Sequence, residues 1–245
     1  MRLNQFIAET GICSRREADK KIENGEVIVN GAAAVLGMSV GDSDDVRLNG
    51  ERIGRMFERV CILVNKPAGI TSTTDKSDKT NIIRYVSCSK RLFTVGRLDK
   101  DSEGAILLTN DGNLVNALLR AENGHEKVYS VRTDKPVTAE FLTAMSEGIK
   151  IYNPVRNEYT VTLSCKVIKT GKNAFEITLV QGLNRQIRRM CAALGYRVWS
   201  LTRTKFLFLT LNGLSVGKWR LLTAEETEKL YGYLACNSSV TLPIC

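Results

Sequence analysis

The sequence has few of the residues from which metal sites and nucleophile triads are usually built. It contains one histidine, His125, which argues against a histidine metal cluster and against a Ser–His triad. Its seven cysteines, at 13, 61, 88, 165, 191, 236 and 245, are odd in number, widely spaced and without a C-x-x-C pair. That pattern argues against a disulfide framework or a zinc knuckle and predicts reduced thiols. No run approaches 18 apolar residues, so no membrane partner is expected. The opening "MRLNQFIAETG" has no apolar stretch behind a basic start, which predicts no secretory leader and a cytoplasmic protein. A P-loop and a G-x-G-x-x-G fingerprint are both missing, so neither phosphate-cradle motif marks a nucleotide cofactor.

Charge is abundant and uneven. The net charge of +9 at pH 7 points toward a polyanionic partner, usually nucleic acid. Residues 1–59 hold 9 basic and 10 acidic side chains, leaving 26 and 16 for residues 60–245. The excess is densest at 181–220, which carries eight basic side chains and no acidic one. A merely soluble surface normally intersperses both signs.

The first fifty residues read as a compact module. Leu3, Phe6 and Ile7 fall at helical spacing before Gly11, and Ser14-x-x-Glu17 is a capping box that opens a second helix ending at Asn24-Gly25. "EVIVNG" is a short strand closed by an Asn30-Gly31 turn, and "DVRLNG" at 45–50 is a second one. Residues 53–59 read as a linker. Beyond it, "CILVNKP" is a strand stopped by Pro67, and "LFTV" and "AILLT" are strands on either side of "GRLDKDSEG" at 96–104. "KVYSVRT", "EYTVTLSCKVI", "AFEITLV", "RVWSLTR" and "FLFLTL" are strand-like, and "NRQIRRMCAAL" is a helix with Ile187, Cys191 and Leu194 on its apolar face. A last helix opens at Thr223-x-x-Glu226, and residues 235–245 read as a mobile tail. Strands and helices alternate without a regular parallel βαβ period. The fold class is therefore α+β: a small α/β module, then a domain at 60–234 with a large mixed, mainly antiparallel sheet flanked by helices.

The nonapeptide "GRLDKDSEG" packs Asp99, Asp101 and Glu103 into five positions. As a calcium loop it fails at its twelfth position, which is Asn110 where a bidentate Glu is needed. As a phosphatase Asp-x-Asp pair it lacks a downstream acid–lysine set for Mg²⁺. Asp101 and Glu103 read as residues of a solvated turn. Asp99 stands apart, because a carboxylate at a strand-end turn is held by the fold, reachable by a ligand, and kept ionised by a cationic neighbour.

The stretch "RLNQFIAETGICSRREADKKIENGEVIVNG" resembles the S4 RNA-binding domain. "NKPAGITST", "GRLDKDSEGAILLTNDG", "HEKVYSV" and "QGLNRQIRRM" followed by "LTRTKF" resemble, in family order, the motifs of RsuA-type pseudouridine synthases. The resemblance runs from Arg2 to about Leu234. It implies isomerisation of a uridine already in RNA, with no metal and no cofactor. By motif match Asp99 is the catalytic carboxylate, Tyr129 the ring that stacks on uracil and serves as base, and Arg188 the cation paired with the aspartate. Arg97 fills the gap left by the everted nucleotide, and Leu201 packs against the base. The resemblance assigns RNA phosphates to Arg2, Arg15, Arg16 and Lys20 in the S4-like module. The basic stripe adds Arg185, Arg189, Arg203 and Lys205. The implied partner is structured RNA, a stem-loop of large-subunit rRNA first and a tRNA anticodon arm second, met by a monomer. A non-catalytic RNA-binding assembly factor on the same scaffold is the alternative reading. The set Asp99, Tyr129 and Arg188 separates the two.

Overall fold

The computed structural model describes residues 1–54, 59–119, 124–154 and 157–238. It groups into two compact units: Met1–Val60 with Cys88–Leu92 and Asn110–Gly112, and the remainder of the chain. Of the expected linker, residues 55–58 lie outside the described residues, as does the expected tail from 239 onward.

In the first unit, helices α1 (Leu3–Glu9) and α2 (Arg15–Glu23) precede a four-stranded antiparallel sheet. Its strands are β1 (Val27–Val29), β2 (Ala32–Ala33), β3 (Val46–Leu48) and β4 (Glu51–Arg52), in the order β2-β1-β3-β4. The capping box forms: the Ser14 hydroxyl accepts from the Glu17 N–H, and the Glu17 carboxylate accepts from the Ser14 N–H. Asn30 and Gly31 take φ of 50° and 83°, the paired left-handed geometry of a tight hairpin turn. Leu3, Phe6, Ile7, Ala18, Ile22, Val27, Val29 and Val46 close one core between the helices and the sheet.

The second unit is built on a nine-stranded sheet. Its strands are β5 (Cys61–Lys66), β6 (Phe93–Val95), β7 (Glu103–Thr109), β8 (Lys127–Thr133), β11 (Lys166–Gly171), β12 (Ala174–Leu179), β13 (Val198–Phe206), β14 (Leu209–Thr210) and β15 (Trp219–Leu221). The path runs β11-β12-β8-β13-β7-β5-β15, with β14 on β13 and β6 on β7. Among the described strands the pairing is antiparallel except between β13 and β7, which run parallel at Thr202↔Glu103 and Arg203↔Gly104. The sheet is thus mixed and mainly antiparallel, as expected. A separate hairpin joins β9 (Lys150–Asn153) to β10 (Glu158–Val161).

Two apolar clusters sit along this sheet. One packs α5 (Ala139–Glu147) and α6 (Gln186–Ala193) over β8, β12 and β13 through Val131, Phe141, Phe175, Ile187, Met190 and Leu201. The other gathers Leu63 of β5, Leu107 of β7, Leu114 of α4 (Gly112–Leu119), Phe206 and Leu230 of α7 (Ala224–Ser238). Strand β13 contributes to both, so the parallel β13–β7 step is where they meet. A short helix, α3 (Ile82–Val86), is capped by the Asn81 side chain.

Three details differ from the sequence reading. "RVWSLTR" and the following "TKF" form one strand, and the chain turns at Leu207, whose φ is 57°. "EYTVTLSCKVI" divides into β10 and β11. Helix α7 continues past Leu234 to Ser238. Among the described residues no helix is long and apolar enough to cross a membrane.

Candidate active site

The nonapeptide forms the loop between β6 and β7, which pair antiparallel with Val95 opposite Leu107. Gly96 enters it at a φ of 76°. The Ser102 N–H then donates to the Asp99 carbonyl at 3.0 Å, closing a turn around Lys100 and Asp101. Gly104 leaves the loop where β7 meets β13. A Cβ there would lie 2.3 Å from the Arg203 carbonyl oxygen and 2.6 Å from its nitrogen, at a φ of 113°. Only glycine passes both tests.

The segment after β5 cradles this loop. The buried Ser72 hydroxyl donates to the Leu98 carbonyl at 2.9 Å and accepts from the Leu98 N–H at 3.2 Å. The Gly69 N–H donates to the Lys100 carbonyl at 2.7 Å. Lys66, fully buried, donates to the carbonyls of Pro67 and Ile70 at 2.9 and 2.8 Å and reaches that of Lys100 at 3.5 Å. Burial pulls its pKa down to about 8, against the pull of Glu103, Asp101 and Asp99. "NKPAGITST" therefore supplies the floor under Asp99. Sequence reasoning recorded this stretch as a motif and missed that Lys66 and Ser72 hold the loop.

Asp99 is partly exposed, with 28% of its side chain accessible. The cation near it is Arg185, whose Nη1 lies 3.8 Å from Oδ2. Arg185 also grips Asp101 with two parallel hydrogen bonds of 3.0 and 2.9 Å. That grip holds the Asp101 carboxyl below its usual range. Arg188 does not pair with Asp99. Its Nη2 donates to the Asp101 carbonyl and the Ser102 hydroxyl at 3.0 and 3.3 Å, its Nη1 donates to the Val198 carbonyl at 3.3 Å, and its Nε lies 3.5 Å from Asp101 Oδ2. The expected Asp99–Arg188 pair is thus corrected to Asp99–Arg185. Arg185 occupies the N-cap of α6 in a left-handed conformation, ahead of the helical turn that holds Arg188. Asp101 is exposed, as expected of a turn residue, and it is also held, because the guanidinium groups of Arg185 and Arg188 close on it.

Tyr129 lies on β8 opposite Arg203 of β13, and Leu201 lies opposite Val131, so all four side chains share one sheet face. Tyr129 packs partly buried against the first apolar cluster. Leu201 is 7% exposed and belongs to that cluster, so it backs the face more than it presents a surface to a base. Arg203 is 2% exposed and its Nε donates to the Ala105 carbonyl at 2.6 Å. A phosphate cannot reach it, and its expected place among the RNA-contacting cations is withdrawn. It serves the β13–β7 junction instead. Lys205 lines a groove with Lys166, Glu126 and Glu176, where carboxylates temper its field. Arg97 is exposed on the loop. Arg189 donates to the Tyr152 carbonyl and, at 2.7 Å, to Asn184 Oδ1. In the first unit Arg2, at the N-cap of α1, and Arg15, Arg16 and Lys20 of α2 are all exposed, while Ala18 and Ile22 of α2 face the core.

A family profile described as RNA pseudouridylate synthase matches residues 60–193, and the S4 domain profile matches residues 1–46. The dual-specificity RNA pseudouridine synthase RluF of Escherichia coli (strain K12) is 49% identical over 245 residues, 99% of this chain and 82% of the relative. Ribosomal large subunit pseudouridine synthase B of Bacillus subtilis (strain 168) is 34% identical over 236 residues, 94% of this chain and 95% of the relative. A crystal structure of a pseudouridylate synthase superposes with a TM-score of 0.68 at 31% identity, covering 94% of this chain and 99% of that one. These likenesses favour the enzyme over a non-catalytic assembly factor. An S4 domain followed by a sheet that carries the Asp99 loop places this chain in the RNA pseudouridylate synthase family, and it belongs there as an RNA pseudouridine synthase.

Proposed function

We propose that this enzyme isomerises a uridine in a stem-loop of large-subunit ribosomal RNA, with a tRNA anticodon arm as a second substrate. The name of one relative, a ribosomal large-subunit enzyme, supports the first half, and that of the other, a dual-specificity enzyme, agrees with a second substrate. In the reaction the bond from ribose C1′ to N1 of uracil breaks and a bond from C1′ to C5 forms. The proton on C5 leaves and N1 ends as N–H, so the product is an isomer and no other reactant is consumed.

Asp99 is assigned the work at C1′, as nucleophile or as promoter of elimination, with Arg185 3.8 Å away helping to orient its carboxylate. Tyr129 is assigned the uracil face and the C5 proton. The observation that carries the assignment is the cradle. Three side chains or N–H groups of residues 66–72 bind the backbone on either side of Asp99, and an accessible carboxylate held that firmly at a strand end is suited to covalent or acid–base work. A uracil inside a stem cannot reach it, so the nucleotide is flipped at a cost of about a few kcal/mol, less in a loop. Arg97 is assigned the vacated stack. Arg185 and Arg189, with Arg2, Arg15, Arg16 and Lys20 of the S4 domain at residues 1–52, are assigned phosphates. The enzyme is assigned to the cytoplasm, in keeping with its widely spaced cysteines without a C-x-x-C pair, and is taken to act as a monomer.

The test is carbodiimide mapping of pseudouridine in stem-loop RNA incubated with wild type and with Asp99→Ala. Wild type should give one modified uridine and Asp99→Ala none. Equal product from both removes Asp99 from its role.

A further inference from the structure

The β9–β10 hairpin exposes a surface that the reaction described so far does not use. Its register sets Tyr159 opposite Tyr152 and Val161 opposite Lys150. Residues directly opposite in a sheet share a face. One face is therefore Lys150, Tyr152, Tyr159 and Val161, while Ile151 and Asn153 between them are buried. Tyr152 is 42% exposed and Tyr159 is 67% exposed. The two rings lie 5.3 Å apart between centroids, and the Lys150 ammonium stands 5.1 Å from the Tyr159 centroid.

This face is tied to the candidate site. Arg189 of α6 donates to the Tyr152 carbonyl. Its own N–H bonds to the carbonyl of Arg185, the cation beside Asp99. One helical turn, about 6 Å of rise, separates the two arginines. The tyrosines thus sit on an element braced against the helix whose first residue reaches the aspartate. Glu158 on the same hairpin pairs with Asn153 and belongs to the other face by alternation.

Exposed aromatic rings beside cations form the standard surface for unpaired nucleotides. The rings stack on bases whatever their sequence, and the cations meet the backbone. Cations on the ring face, with the Glu158 carboxylate on the opposite one, favour a polyanion as the occupant. We infer that Tyr152 and Tyr159 form a stacking platform for unpaired RNA bases that flank the target uridine, with Lys150 and Arg189 on the adjoining phosphates. This inference rests on the RNA substrate proposed above. It adds a binding element outside the reaction centre, one that would hold a loop open while its uridine is everted.

The ring pair also stabilises the hairpin itself, so the test must separate the two roles. The full-length protein is titrated with a large-subunit rRNA stem-loop carrying 2-aminopurine next to the target uridine. Tyr159→Ala should weaken RNA affinity on the order of tenfold or more, and abolish the quenching of 2-aminopurine seen with wild type. Its salt slope should stay as in wild type, because no charge is removed. Tyr159→Phe should bind as wild type. Tyr159→Thr keeps strand propensity and should lose affinity like the alanine variant, which guards against a merely unfolded hairpin. Wild-type affinity and quenching in both Tyr159→Ala and Tyr159→Thr would overturn the platform, and would be the result if the face docks a protein. Loss of affinity in these variants, in a stem-loop that wild type leaves unmodified, supports the platform while rejecting the assigned substrate.

Discussion

Arg185 and Arg188 are three positions apart and both reach Asp101, yet they do different work. Arg188 has 13% of its side chain exposed and satisfies backbone carbonyls of Asp101 and Val198. Removing it leaves these exposed and part-buried carbonyls without that donor and empties a mostly buried side-chain site, which costs about 1 kcal/mol. Arg185 is 41% exposed, so its ion pairs are screened and add less than about 1 kcal/mol to stability. Its value lies in standing 3.8 Å from the Asp99 carboxylate. Arg185→Gln should therefore lower the rate of pseudouridine formation at least tenfold while moving the denaturation midpoint little, and Arg188→Leu should lower the midpoint clearly. Stopped-assay rates and urea melts of both variants decide it; the reverse ranking would return the catalytic pairing to Arg188. The clamp also has an acid limit. Arg185 depresses the Asp101 carboxyl, so the bond is intact above the ordinary carboxylate pKa of about 4 and is lost as pH falls through the lower folded value.

At the level of elements, the reaction loop depends on a segment that touches no substrate atom in the proposed chemistry. Ser72 makes both backbone hydrogen bonds of Leu98, one residue before Asp99. Ser72→Ala leaves a buried N–H and carbonyl without that partner. It should destabilise the protein by about 2 kcal/mol and lower kcat more than RNA affinity, since the loop loosens while the cations remain. Affinity and single-turnover rate measured together test this; an unchanged rate would make the cradle decorative. Such support is invisible in a one-dimensional reading, which finds "NKPAGITST" without finding what it holds. Local signals were readable where the chain carries its own punctuation. Ser14 and Glu17 announce a capping box, and Asn30-Gly31 announces a hairpin. The end of β13 was not readable, because Leu207 takes a left-handed φ with no Gly, Asn or Pro to mark it. Asp99 was legible as a singular acid in a turn. Its true ionic neighbour was not, because helical spacing cannot tell an N-cap arginine from one in the first turn. Arg203 was misread for a related reason: a charge count along the chain does not say which face of a strand each cation takes, and the β13–β7 junction buries this one.

Across the whole molecule, burial shifts titrations in opposite directions, and the balance sets how stability follows pH. Burial holds Lys66 and Lys127 at about 8, well below the ordinary lysine value of about 10.4. Between these limits the unfolded chain binds protons that the folded chain does not, so stability rises with pH. Buried Lys66 contributes at most about 1 kcal/mol between pH 8 and 9, from the slope of 1.36 kcal/mol per proton and pH unit, and partly exposed Lys127 contributes less because solvent screens it. The thiols oppose this. Burial pushes Cys191 up to about 12 and raises Cys13 and Cys165 as well. Above the ordinary thiol pKa of about 8.5 the unfolded chain loses protons that the folded chain keeps, and stability falls. Both tryptophans, Trp199 and Trp219, lie in the larger unit with Lys66, Lys127 and Cys191, so their fluorescence reports its unfolding. Urea midpoints followed by that signal should climb from pH 7.5 to about 9 and then level or decline. Lys66→Met should flatten the climb by about half or more. A wild-type midpoint that falls steadily from pH 7.5 would mean that the ammonium of Lys66 is hydrated in solution, and with it that the carbonyls of Pro67, Ile70 and Lys100 do not close over it as the structure shows.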